Sequence, residues 1–269
     1  METALFGRSD AAAWIAVPGD DDDKYARGVV GFVTGSARYP GAAVLGVEAA
    51  LRTGVGMVRY LGPGRATRLV LQRRPEAVTT DGRVQAWVLG SGQDAAERDE
   101  LTTMFLENAL AQGVPTVLDA GALDLWPKVT GPVVMTPHAG ELARLLETTK
   151  DVVLADRDAA ALRAAEAFGA TVLLKGAETL VTTGDGGLLR VRNATPWVAT
   201  AGAGDALSGI LGALLATHSG ASDLAPIAAT AAWIHGEAAR RASAGGPLTI
   251  LDLCAQLSGV VGGLATMGA

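Results

Sequence analysis

Short apolar runs alternate with longer stretches of helical periodicity from Gly28 almost to the end of the chain. Val29–Thr34, Met57–Leu61, Ala86–Leu89, Thr116–Asp119, Val133–Thr136 and Thr171–Lys175 read as strands. They are continuously apolar and closed by Gly, Asp or Pro, the pattern of parallel strands covered on both faces. Between them, Gly41–Thr53, Glu97–Gln112, the stretch from Glu141 through Leu146, and Arg157–Phe168 carry helical spacing, and Gly54-Val55-Gly56 ends the first of these. Leu180–Thr183 and Leu188–Val191, joined by Gly184-Asp185-Gly186-Gly187, predict an antiparallel hairpin. A turn of small residues then runs into an apolar helix ending near His218, and helices over Leu224–Arg241 and Leu248–Leu264 close the chain. The helical pattern of Arg8–Ile15 is weak. Such alternation predicts an α/β fold with a mostly parallel central sheet and helices on both faces. With no internal repeat or long linker, the reading is one domain over residues 1–269, of which 1–27 form an N-terminal extension.

Composition narrows this picture. Hydrophobic residues make up 49% of the 269 and aromatics 4%, which favours close helix–sheet packing by Ala and Gly over an aromatic-lined surface. A net charge of −6 with no basic tract argues against nucleic acid as a partner. The single cysteine, Cys254, excludes an internal disulfide and fits a reducing compartment. Met1-Glu2-Thr3-Ala4 lacks leader character, and no apolar run is expected to cross a membrane without polar breaks. The expectation is a cytoplasmic protein. Asp20-Asp21-Asp22-Asp23-Lys24 resembles an engineered cleavage tag, but Lys24–Gly28 leads directly into the fold, so a native acidic loop is the preferred reading.

Parallel α/β sheets bind ligands beyond the carboxyl ends of their strands. The loops there are Gly35-Ser36, Gly90-Ser91-Gly92, Asp119-Ala120-Gly121, Thr136-Pro137-His138, Lys175-Gly176 and Gly202–Asp205, and they are expected to converge on one edge. The last is the richest. Ala201-Gly202-Ala203-Gly204 exposes backbone amides at the start of an apolar helix, whose first N–H groups and positive dipole end make an anion site. Asp205 stands at its mouth. A carboxylate beside an anion site suits phosphoryl transfer to a hydroxyl. The alternative is a tight loop in which Asp205 caps the helix.

Gly35-Ser36 with Tyr39-Pro40-Gly41-Ala42-Ala43, then Ala50–Gly54, Asp119-Ala120-Gly121-Ala122-Leu123, Thr136-Pro137-His138-Ala139-Gly140-Glu141, Lys175-Gly176 and Ala203-Gly204-Asp205 resemble, in order and spacing, the ADP- or ATP-dependent NAD(P)H-hydrate dehydratases. The resemblance covers Lys24 to about Gly236. It implies a ribokinase-like three-layer α/β/α sandwich. It also implies a repair reaction, in which NADH or NADPH hydrated at C6 of the nicotinamide is phosphorylated there by a nucleotide and then loses phosphate.

By the same resemblance Asp205 is the general base, and Ala42, Ala43, Gly92 and His138 contact the hydrated dinucleotide. Lys175, Gly176, Ala177, Glu178 and Thr179 with Gly202, Ala203 and Gly204 hold the nucleotide. ADP (or ATP) is the phosphoryl donor and AMP the product. Mg2+ accompanies the phosphates, with Asp119 and Glu141 as candidates to hold it through water. The family implies a homotetramer and an NAD(P)H-hydrate epimerase as pathway partner, expected here as a separate protein because only 27 residues precede Gly28. The family turn reads Gly-Gly-Thr-Gly-Asp, whereas Ala201 and Ala203 stand in two of those places. The amides survive this change and the threonine hydroxyl does not.

Each residue also has a structural alternative. His138 could be a loop histidine bonded to a carbonyl, Lys175 a snorkelling strand-end lysine, Ala42 and Ala43 ordinary helix–sheet packing, and Glu141 a first-turn helix stabiliser. His218 and His235 read as structural. Two rival functions share the anion turn: a kinase of a vitamin-precursor alcohol, and a nucleotide-binding protein without turnover. The region Gly28–Ala37 lacks the Gly-x-Gly-x-x-Gly turn of a dehydrogenase.

Overall fold

Strand β1 (Val29–Val33) is flanked in parallel by β2 (Met57–Tyr60) and β3 (Ala86–Leu89). The sheet continues in parallel through β4 (Thr116–Leu118), β5 (Val133–Met135) and β6 (Thr171–Leu174). It ends in two antiparallel additions, β7 (Thr179–Thr182) and β8 (Leu188–Val191). The order is β2-β1-β3-β4-β5-β6-β7-β8, so the winding direction reverses at β1 and opens a crevice between the carboxyl ends of β1 and β3. This computed structural model describes residues 5–268. Met1–Ala4, the segment expected to lack leader character, lie outside the described residues.

Every expected strand is present. The expected hairpin is β7–β8, but the chain already turns back one strand earlier. Only residues 175–178 separate β6 from β7, too few for the crossover a parallel pair needs. The helices are α1 (Arg8–Ala12), α2 (Pro40–Thr53), α3 (Gly64–Arg73), α4 (Glu100–Leu110), α5 (Ala139–Leu145), α6 (Lys150–Ala155), α7 (Arg157–Phe168), α8 (Ala203–Thr217), α9 (Ala225–Ser243) and α10 (Ile250–Gly268). α3, α6 and a 3-10 stretch over Ala120–Lys128 were not expected. α3 buries only Ala66 and Val70, too sparse an apolar stripe to read as periodic. The expected helix from Glu97 begins three residues later, because the Asp99 carboxylate accepts the Thr102 N–H at 2.7 Å and caps it there.

Alternate residues of β1 face opposite layers. Val30 and Phe32 join the core under α2, α8, α9 and α10, while Val29 and Val33 join the core under α4, α5 and α7. α8 is the innermost helix, buried without a break from Ala206 to Ala216. It lies this close because two of its faces are glycine. A methyl group on Gly212 would stand 2.2 Å from Val88, and one on Gly209 would stand 2.2 Å from the carbonyl oxygen of Gly46 on α2. The extension is not loose: the Phe6 N–H donates to the Arg190 carbonyl at 2.8 Å beside β8. The acidic loop folds on itself, with Asp23 accepting the N–H groups of Tyr25 and Ala26.

Among the described residues one helix bears on the expectation about membranes. Ile250–Met267 of α10 is long and apolar enough to cross a bilayer by length and composition alone, with mean hydropathy 1.5. Here its Leu253, Cys254, Leu257, Val260 and Leu264 stripe packs into the α-helical core. The stretch keeps the charge and polar breaks that the sequence reading expected, Asp252 and Gln256 with Ser258 and Thr266.

Candidate active site

The six loops do meet at one edge, and backbone hydrogen bonds join five of them to a neighbour. Gly35 N–H donates to Ser91 O at 2.7 Å, Gly121 N–H to Gly90 O at 3.3 Å, and Lys175 N–H to Pro137 O at 2.9 Å. The parallel strands bring these ends level, and the Gly residues let them approach.

Gly202 occupies the left-handed region (φ 93°) and is the N-cap of α8, offering no side-chain cap. Asp205 is therefore not the cap that the structural alternative required. It is the third residue of the helix. The N–H groups of Gly204 and Asp205 have no backbone acceptor among the described residues, so two amide donors and the helix dipole face outward. The Asp205 carboxyl is half-buried. Burial and the negative charge of Asp119 push it up to about 6, against the opposing pull of Lys175. No hydrogen bond holds it down.

Lys175 extends from the end of β6 over this first turn. A methyl group on Gly204 would lie 3.6 Å from its Nζ. Nζ donates to Asp119 Oδ1 at 2.7 Å and stands 3.9 Å from Glu141 Oε2. Burial works against the ammonium, but the charges of Asp119 and Glu141 more than offset this and raise it above the ordinary lysine value. It is thus no snorkelling lysine.

His138 is the N-cap of α5. Its Nδ1 accepts the N–H groups of Gly140 and Glu141 at 3.0 and 3.1 Å, which leaves the proton of the neutral ring on Nε2. The carbonyl-bonded loop histidine of the structural alternative is not what the structure holds. The ring is more than half exposed and offers an Nε2–H donor beside Lys175. Glu141 completes the capping box by accepting the His138 N–H at 2.7 Å.

At the β1–β3 crevice, Gly92 (φ 67°) abuts Ala42, and a methyl group there would fall 2.3 Å from the Ala42 Cβ. Ala43 is fully buried against Gly35. The structure thus brings Ala42, Ala43 and Gly92 together, and further along α2 a methyl group on Gly46 would stand 3.4 Å from the Asp205 carbonyl oxygen. A cavity of about 450 Å³ flanks the edge, lined by Gln93, Gly121, Glu141 and Arg144 among others.

The other predicted nucleotide residues follow Lys175 in the turn from β6 to β7. Gly176 packs on the Arg157 guanidinium, and Glu178 is bound to Arg190 at 3.0 Å. Ala177 is exposed, and Thr179 opens β7.

The two candidates to hold Mg2+ through water differ in what they leave free. Asp119 is 2% exposed, and both its oxygens are taken by Lys175, Thr136, Ser91 and Ser208. Glu141 gives Oε2 to the capping box and keeps Oε1 without a hydrogen bond among the described residues. Among the described residues no group of three His, Cys, Asp or Glu could hold a metal. The side chains of Ser91, Thr136 and Ser208 escaped the sequence reading, because nothing local marks a hydroxyl that bonds across the sheet.

His235 and His218 are structural, as expected. His235 lies against the Ala203 backbone at the head of α8, where burial lowers it to about 4 and leaves Nε2 without a partner among the described residues. His218 packs on Trp14.

The family model described as NAD(P)H-hydrate dehydratase matches residues 30–254. The bifunctional NAD(P)H-hydrate repair enzyme Nnr of Mycobacterium leprae is 43% identical over 229 residues, covering 81% of this chain and 47% of that protein. The chain thus spans about half the length of such bifunctional relatives. The ADP-dependent (S)-NAD(P)H-hydrate dehydratase of Neisseria meningitidis serogroup B is 36% identical over 240 residues, covering 82% of this chain and 79% of that one. The crystal structure of the ADP/ATP-dependent NAD(P)H-hydrate dehydratase of Bacillus subtilis, co-crystallised with ATP and Mg2+, superposes with a TM-score of 0.86. At 24% identity and full coverage of both chains, that likeness establishes the ribokinase-like fold.

Proposed function

The chain belongs to the NAD(P)H-hydrate dehydratase family, and from that premise we propose that it dehydrates (S)-NAD(P)H hydrate at the expense of ADP, releasing AMP and phosphate. The observation that carries this reading is Asp205. A carboxylate free of hydrogen-bond partners, tuned to about 6, stands beside two open amides and the Lys175 ammonium at the head of α8.

In this mechanism the C6 hydroxyl oxygen of the hydrate attacks the terminal phosphorus of ADP. Asp205 takes the hydroxyl proton, the bond from phosphorus to the bridging oxygen breaks, and AMP leaves. The Gly204 and Asp205 amides and Lys175 are placed to stabilise the charge spread over the phosphoryl oxygens. The ring nitrogen's lone pair then expels phosphate from C6, and loss of a proton from C5 restores the double bond. His138 offers Nε2–H to the dinucleotide, and Ala42, Ala43 and Gly92 shape the crevice for it. Lys175 with Gly202, Ala203 and Gly204 supports the nucleotide-binding reading. Mg2+ would enter with the nucleotide phosphates, and Glu141 Oε1, unlike the saturated Asp119, would be free to hold one of its waters.

A homotetramer, a cytoplasmic setting and an NAD(P)H-hydrate epimerase as pathway partner complete the reading by family resemblance. Incubating the protein with hydrated NADH and ADP, while following the return of reduced-ring absorbance, tests it. Recovery of absorbance with AMP release is expected, and Asp205→Asn should lose at least about a hundredfold in rate. Phosphorylation of a simple alcohol without ring recovery would favour the vitamin-precursor kinase instead.

A further inference from the structure

Four donors from separate elements converge on one buried carboxylate. Asp119 Oδ1 accepts from Lys175 Nζ at 2.7 Å and Thr136 Oγ1 at 2.9 Å. Oδ2 accepts from Ser91 Oγ at 2.8 Å and Ser208 Oγ at 3.2 Å. The donors come from the ends of β3, β5 and β6 and from α8, and Asp119 itself ends β4. With both oxygens filled and 2% of the residue exposed, it has no acceptor left to offer a substrate or cation. Burial would push such a carboxyl up, yet the Lys175 charge and these hydrogen bonds hold it below its ordinary value. It is therefore a permanent negative charge at the centre of the edge.

We propose that Asp119 is a positioning residue: its carboxylate holds the Lys175 ammonium away from Asp205 and pins the first turns of α8, leaving the Asp205 oxygens free to take a proton. This rests on the reading of Asp205 as the base. Ser208 lies three residues beyond Asp205, one turn along the same face of α8. Its bond to Asp119 therefore fixes where Asp205 stands relative to β4. Lys175 sits between competing carboxylates, bonded to Asp119 and 3.9 Å from Glu141. Without Asp119, its nearest uncommitted acceptor at the head of α8 is Asp205. A direct Lys175–Asp205 pair would stabilise the Asp205 carboxylate and blunt it as a base.

Few other groups could produce such an effect. Asp119 and Lys175 are the charges acting on Asp205. Glu141 stands behind Lys175, and His138 Nε2 lies 3.6 Å behind Glu141. α9 contributes His235, which burial keeps neutral down to about pH 4. α2 contributes Ala42, Ala43 and Gly46, which carry no charge.

The test compares Asp119→Asn with the wild type. The proton midpoint of Asp205 is read from its side-chain carbon-13 resonance in the nucleotide-free protein, assigned by its loss in Asp205→Asn. It should fall by about one pH unit, and the acid limb of kcat/KM should move with it. Ser208→Ala and Thr136→Val each remove one donor, leave Asp119 less compensated, and should shift the midpoint the other way by about a few tenths of a unit. A merely structural Asp119 predicts lower activity or stability with the midpoint unmoved, and that result would overturn the proposal. If Asp119→Asn does not fold, the two hydroxyl variants decide, and an unmoved or lowered midpoint in both overturns it. A wild-type protein that never restores reduced-ring absorbance would sink the dehydratase reading, while the resonance titration would still judge Asp119.

Discussion

Asp205 is held at a cost to the fold. Its carboxyl rises from an ordinary 3.8 to about 6 in the folded chain. Between those values the folded protein binds a proton that the unfolded chain has released, so stability falls as pH rises across the window. Above it the whole cost is present. Asp205→Asn should therefore stabilise the protein at pH 7 by about 1–3 kcal/mol and make no difference below the window, as thermal melts across pH would record. For the active wild type, kcat/KM should fall off below about pH 6, where the base becomes protonated. Asp205 was legible in the sequence because its surroundings are local: a small-residue turn, a helix start, and a carboxylate among them. The role of Asp119 was not. Its partners Ser91 and Ser208 lie 28 and 89 residues away, and a strand-end Asp followed by Gly looks the same whether it faces a cation or a ring of hydroxyls.

The pair α2 and α8 carries both halves of the site. Ala42 and Ala43 begin one, Asp205 begins the other, and they cross at Gly46 and Gly209. Gly209→Ala would drive a methyl group into the Gly46 carbonyl and force the helices apart. A loss of about 1–3 kcal/mol in denaturant melts, with kcat reduced through displacement of Asp205, is the expected outcome. The far end of α2 is anchored by Glu48, fully buried and bonded to Arg52 at 2.6 Å, Arg73 at 3.0 Å and Arg74 at 2.7 Å. Burial alone would raise its carboxyl, but the arginines hold it at about 2. This stability is present above the ordinary glutamate value of 4.5 and is lost as pH falls toward 2. Glu48→Gln should cost about 2–3 kcal/mol at pH 7, reduced from a fully buried pair because the arginines reach water. The difference from wild type should shrink as the pH drops below 4.5, and equal losses at pH 3 and pH 7 would contradict the account. At this scale the sequence named the helices by their apolar stripes but not their crossing, since a helical glycine reads alike whether it faces solvent or a second backbone.

The whole molecule packs a single sheet between two helical layers, and α10 reports on that packing. Its Cys254 is fully buried. Burial and the Glu48 charge push the thiol up to about 12, with the nearby arginines opposing them. Native protein should resist a thiol reagent and react with one equivalent only on unfolding, so the labelling rate measures global opening. Rapid labelling of native protein would show α10 detaching by itself. Nucleotide binding should slow that labelling further, because a ligand held by the folded state alone adds about 2.7 kcal/mol at a hundred times its dissociation constant.

The sequence by itself determined the parallel strands, the helices that cover them, the glycine-rich ends where a ligand site forms, and the carboxylate at the head of α8. Each of these is written in short-range terms: apolar runs, helical spacing, small residues at a turn. Only the tertiary structure decided that the chain reverses between β6 and β7, that α10 buries its stripe against the core, that His138 spends Nδ1 on a helix cap, and that Asp119 closes on four donors. Those outcomes depend on which distant groups meet in a low-dielectric interior. There a charge or hydrogen-bonding group must find its partner, and the sequence does not say which one it finds.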